Sequence, residues 1–144
     1  MARLNTQLES KGAEFLVLGQ LLIRGIETYC CHQNQQGYDL MATKGNKACR
    51  IQVKSRYYSG SDSFPIKEFD CDFVVFCGLN RGYEKCKANG ETGMCEPVFY
   101  VLPVEVVKLA QDGREKWNKV HLRQIDNVEQ YSHSWDLISE FVSS

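Results

Sequence analysis

Apolar positions in the first part of the chain recur close to the helical period. Leu8, Phe15, Leu18, Leu21 and Leu22 form a stripe, and Gly25 follows Arg24 where a C-terminal stop is expected. The pattern predicts a helix over residues 6–24. The period then shortens. Residues 26–31 read as a short strand, 33–37 as a polar turn, and 38–43 and 48–56 as two strands of a hairpin. The hairpin turns at Lys44-Gly45-Asn46-Lys47, because Gly-Asn suits a two-residue connection. Residues 57–65 form a loop rich in Ser, Gly and Tyr, and 72–77 are nearly all apolar, as in a strand buried on both faces. Residues 80–96 are a polar, Gly-containing excursion, and 98–102 a second buried strand. Pro103 is expected to open a helix through Val104, Val107 and Leu109. Trp135, Ile138 and Phe141, spaced by three, predict a closing helix within residues 131–144. The order helix, three strands, strand, helix predicts an α/β fold with layers of helix and sheet, in one domain over residues 1–144.

Composition narrows the class. The 144 residues are 43% hydrophobic and 24% charged, enough for a core without disulfide staples. No run of 18 apolar residues exists, so no helical membrane span is expected. Residues 1–7 lack the apolar run of a secretory signal, which makes a cytoplasmic location the expectation. Seven cysteines include no C-x-x-C pair, so a zinc ribbon or finger has no support and most read as small buried hydrophobes. Trp117 and Trp135 read as core or interface aromatics.

Charge is nearly balanced overall, at −1, but unevenly distributed. Residues 1–60 hold eight Lys/Arg against four Asp/Glu. Between residues 41 and 60 lie Lys44, Lys47, Arg50, Lys54 and Arg56 and no acid. Such a surface suits a phosphate backbone. Tyr57 and Tyr58 follow it and are candidates for stacking on bases.

The hairpin also carries chemistry. A turn at Gly45-Asn46 makes paired residue numbers sum to 91, which sets Asp39 opposite Gln52 and Met41 opposite Arg50. Arg50, Gln52 and Lys54 then share one face with Asp39, while Ile51 and Val53 face the core. On the helix, Glu14 is followed by Val17, Leu18 and Leu21, so it lies on or beside the apolar stripe and needs a cation. Phosphodiester hydrolysis requires a hard cation with oxygen ligands. Mg²⁺, or Mn²⁺ in its place, is bound by one or two carboxylates and keeps several waters. Asp39 and Glu14 are the expected ligands, completed by the Val53 backbone carbonyl. Lys54 is the expected partner of the attacking water and of the developing charge.

Glu14, then Gly37-Tyr38-Asp39-Leu40, then Arg50-Ile51-Gln52-Val53-Lys54-Ser55 resembles the PD-(D/E)XK nuclease superfamily in its Asp…Gln-x-Lys variant. That superfamily includes restriction endonucleases, junction resolvases and an intron-encoded homing endonuclease. The resemblance spans roughly residues 8–80. It implies a restriction-endonuclease-like fold, a central mixed β-sheet flanked by helices. It also implies a catalytic set of Glu14, Asp39, Gln52 and Lys54. Tyr38 stands where the motif has proline, and Gln52 where it has an acid, so the metal site has one negative charge fewer.

The function expected is metal-dependent hydrolysis of DNA phosphodiester bonds, with Lys44, Lys47, Arg50, Arg56, Tyr57 and Tyr58 on the nucleic acid. Two antiparallel strands and one site per chain lead to the expectation of a homodimer or higher symmetric oligomer. The alternatives are an inactive nuclease-fold module that binds nucleic acid, and a protein-interaction or regulatory domain in which the same residues only form ion pairs.

Overall fold

The computed structural model describes residues 5–31, 37–111 and 118–144. Helix α1 spans Thr6–Ile23, and the Asn5 side chain caps it by accepting the Gln7 N–H at 2.8 Å. Strands β1 (Glu27–Cys30), β2 (Leu40–Lys44) and β3 (Lys47–Arg56) follow as an antiparallel meander. The register expected from the turn is the one observed, with Met41 opposite Arg50 and Lys44 opposite Lys47. Gly45 takes φ +60°, which the first residue of a type II′ turn requires.

Strand β4 (Ser63–Pro65) is short; β5 (Phe73–Gly78) and β6 (Val98–Pro103) complete the main sheet. Helix α2 (Val104–Gln111), strand β7 (Lys119–His121), two short 3₁₀ turns and helix α3 (Asp136–Ser143) follow. The five-stranded sheet has the order β1-β2-β3-β5-β6, and β3–β5 is its parallel step. A mixed sheet flanked by helices is therefore present, as expected. The pairing of β4 with β7 in a second, two-stranded sheet was outside the sequence expectations, because three-residue strands carry no periodic signal.

Both faces of the central sheet are covered. On one, Cys49, Ile51, Phe73, Val75 and Cys77 pack with Ala13, Val17 and Leu21 of α1 and Ile138 and Val142 of α3. On the other, Val74 and Phe76 pack with Val104, Val107, Phe64 and Val120 of α2, β4 and β7. This is why all six residues of β5 are buried and why its sequence does not alternate. Trp135 is in the first core, while Trp117 and most of the expected 33–37 turn lie outside the described residues.

Two expectations need correction. The α1 stripe does not face the core as a set. Leu21 is buried and Leu18 half-buried, but Leu8, Phe15 and Leu22 are exposed, and Ala13 and Val17 take the core positions. The helix has apolar residues on two opposite faces, and periodicity alone does not say which one meets the sheet. Pro103 ends β6 rather than opening α2, which begins at Val104.

Candidate active site

The site lies at the edge of β3 where β2 leaves it. Their pairing ends with Leu40 opposite Ile51. One residue earlier, the Asp39 N–H donates to the Ile51 carbonyl at 2.8 Å. Its carboxylate Oδ2 then accepts the Val53 N–H, also at 2.8 Å. Asp39 thus continues the ladder with its side chain. The N–H and C=O of one strand residue point to the same side, so the Val53 carbonyl lies on the Asp39 side of β3.

Gly37 makes this approach possible. It has φ +85°, and a Cβ there would stand 2.7 Å from the Asp70 Cβ and 3.2 Å from the Asp70 carbonyl. From the other side, the Cys31 N–H donates to the Asp39 carbonyl at 2.9 Å. The Asp39 backbone is therefore bonded to the chain on both sides.

Glu14, Lys11 and Lys54 act electrostatically on Asp39. Glu14 is on the flank of α1, its side chain 15% exposed, and is paired with Lys11 Nζ at 3.1 Å. Arg24, just beyond the end of α1, bonds Gln20 and lies over Trp135. Burial pushes the Glu14 carboxyl up; the Lys11 bond opposes this and the charge of Asp39 adds to it. Burial likewise raises Asp39, against the Val53 N–H and the charges of Lys54 and Lys11. Burial lowers the Lys54 ammonium, with Asp39 opposing. Lys11 is raised, first by its bond to Glu14. Asp39 is thus coupled to Glu14, which Lys11 pairs, and to Lys54, whose ammonium burial drives toward neutrality.

Gln52 lies on β3 between Ile51 and Val53, the two residues that Asp39 bonds. The Gln52 Oε1 is buried and has no hydrogen-bond partner among the described residues. A buried amide oxygen left bare is costly and marks a place for a donor or a cation. Among the described residues no group of three or more His, Cys, Asp or Glu side chains gathers to hold a metal. A cation here would rest on two carboxylates, the Gln52 amide oxygen and the Val53 carbonyl. Those are the hard oxygen donors that Mg²⁺ accepts.

A solved bacterial homing endonuclease, I-Ssp6803I, has a similar fold. The TM-score is 0.62 at 22% sequence identity, covering 94% of this chain and 93% of that one. At this identity the similarity shows a shared fold. No family model matches the chain, and no curated protein sequence does.

The structure separates the residues expected on nucleic acid. Arg56, Tyr57 and Tyr58 follow Lys54 directly, close to the site. Tyr57 is a core residue stacked edge-on against Tyr58 at 5.3 Å, so Tyr58 is the ring nearer the surface. Lys44 and Lys47 are exposed at the hairpin tip, roughly 16 Å from Gln52 at about 3.3 Å per residue along β3. Arg50 is engaged within the fold, 2.7 Å from Asp70 and 3.6 Å from Asp72. Sequence reasoning did not assign Lys11 and Cys31 to the site. Lys11 has the i, i+3 spacing to Glu14 as its signal; Cys31 had none, since only tertiary pairing brings β1 beside Asp39.

Proposed function

We propose that this chain is a metal-dependent DNA endonuclease, with Glu14, Asp39, Gln52 and Lys54 as its catalytic set. The observation that carries the reading is that Asp39, held by the Val53 N–H at the open edge of β3, is electrostatically coupled to Glu14, Lys11 and a buried Lys54. The likeness to a homing endonuclease supports the same reaction class.

Asp39 and Glu14 would hold Mg²⁺, or Mn²⁺, with the Val53 carbonyl and Gln52 Oε1 completing the protein donors. When bound, the ion supplies Lewis-acid stabilisation of the charge that builds on the scissile phosphate. The Val53 N–H fixes the Asp39 carboxylate before any ligand arrives, which limits reorganisation during the reaction. Lys54 holds the attacking water and balances charge at the phosphate, and its lowered pKa makes it a better proton acceptor than an exposed lysine. Lys11 neutralises Glu14 in the metal-free protein and is free to turn toward a phosphate when Glu14 binds a cation. Arg56 and Tyr58 continue the surface along the substrate, and Lys44 and Lys47 extend it to the hairpin tip. Cutting both strands of a duplex calls for two copies of the chain.

One observation favours a second reading. With Gln52 in place of an acid, the site has two carboxylates, which suits a module that binds nucleic acid without cutting it. Supercoiled-plasmid cleavage with Mg²⁺ or Mn²⁺ decides between them. Metal-dependent nicking that falls by about 10²–10⁴-fold in Lys54→Ala supports the enzyme. Salt-sensitive DNA binding without cleavage identifies the binding module, and absence of both rejects a nucleic-acid function.

A further inference from the structure

Helix α1 has a second apolar face that no other element among the described residues covers. Leu8, Phe15, Leu16, Leu22 and Ile23 are between 39% and 77% exposed. At 3.6 residues per turn these five, with Gly12 and Gly19, fill an arc of about 120° opposite the core, and the arc holds no charged residue. A Cβ added at Gly12 or Gly19 would meet nothing within 4 Å, so another backbone can approach closely there. A cleft of about 470 Å³, lined by Leu8, Leu16, Tyr57 and Leu79 together with the charged Glu9 and Arg81, continues the strip toward the sheet.

A helix that is apolar on both faces is the pattern of a buried helix. The five side chains expose roughly 500 Å² of apolar surface, at the upper end of what monomers leave open. Two such strips bury roughly 1,000 Å², the lower bound of a specific interface, before the glycines and the cleft are counted.

We propose that this strip is the interface between two copies of the chain, with α1 packed antiparallel on its counterpart about a two-fold axis at the level of Phe15 and Leu16. Six of its seven residues are palindromic about that point, and the seventh, Leu22, is level with Glu9 of the other copy. Leu8 and Ile23, Gly12 and Gly19, and Phe15 and Leu16 each have numbers summing to 31. An antiparallel pair therefore levels Leu8 of each copy with Ile23 of the other and Gly12 with Gly19. Self-complementarity of one patch is what a two-fold interface requires. The net charge of −1 leaves little repulsion between copies, and an uncharged strip has nothing to offer a phosphate backbone. Glu14 flanks the strip on the Phe15 side, and the two-fold keeps that flank on one face of the dimer. Both sites would then open toward one duplex. This last consequence rests on the nuclease reading; the interface does not.

The test is sedimentation equilibrium of the full chain without DNA or metal, so its outcome is independent of any activity. The wild type is expected at twice the 16.5 kDa chain mass. Phe15→Asp, Leu8→Glu and Ile23→Lys, all at exposed positions, should each raise the dimer Kd by about tenfold or more, with circular dichroism unchanged. Leu109→Asp, on the exposed side of α2, should leave it unchanged. The double variant Leu8→Glu/Ile23→Lys should recover much of the loss, because only an antiparallel dimer brings those positions together. A monomeric wild type, or a dimer that survives Phe15→Asp, overturns the proposal. A double variant no better than either single one overturns the antiparallel arrangement.

Discussion

The Asp39 carboxylate accepts the Val53 N–H at 2.8 Å, closing the ladder beyond the last backbone pair between β2 and β3. Asp39→Asn keeps an acceptor oxygen and loses the charge. Asp39→Ala loses both and leaves the Val53 N–H without its partner, at a cost of about 1–3 kcal/mol. Both variants are expected to lose cleavage, but only Asp39→Ala should melt clearly below Asp39→Asn. Equal melting temperatures would show that the bond contributes nothing to the fold.

Gln52→Glu puts a third carboxylate where the bare Oε1 now lies. Without metal it should lower the melting temperature, because a buried charge gains no counter-ion. With Mg²⁺ the rise in melting temperature should exceed that of the wild type, since a tighter ligand stabilises more at the same concentration. Melting in EDTA and in Mg²⁺ measures both effects, and an Mg²⁺ response no larger than the wild type's would argue against Gln52 as part of the cation site.

The raised carboxyls of Glu14 and Asp39 set a pH dependence. A group whose folded pKa lies above its unfolded one contributes stability that is fully present below the unfolded value, near 4, and is lost as pH rises through the folded value. The metal-free wild type should therefore melt below Glu14→Gln and Asp39→Asn at neutral pH and converge with them in acid. Curves that diverge in acid instead would reverse the assigned direction.

Gly37→Ala should destabilise the protein by about 1–3 kcal/mol, the cost of holding a non-glycine residue in a disfavoured backbone region. The added methyl also meets Asp70 and would shift the segment leading into Asp39. Cleavage should fall along with stability. An unchanged melting temperature would mean that the segment relaxes freely.

Burial pushes the thiols of Cys49 and Cys77 up to about 12 and that of Cys71 to about 11. Cys30, Cys86 and Cys95 are exposed. A maleimide should modify the exposed three in the native protein and reach the buried three only after unfolding. Mass spectrometry of labelled peptides reads the result, and fast labelling of Cys77 would contradict its place in the core.

Local signals in the chain determined most of the elements and the hairpin register. A Gly-Asn turn leaves one pairing, and side-chain alternation then places Gln52 and Lys54 on one face and Ile51 on the other. These are short-range constraints, fully written in neighbouring residues. The all-apolar run of β5 likewise announced a strand covered on both sides. Only the tertiary structure decided which face of α1 meets the sheet, because a helix apolar on two sides satisfies the same period either way. It alone closed Asp39 onto Val53, brought Lys11 and Cys31 beside the carboxylates, occupied Arg50 with Asp70 and Asp72, and paired β4 with β7. Apart from the Lys11–Glu14 spacing on α1, those contacts join segments distant in sequence, and their energies depend on packing and burial that no local pattern encodes.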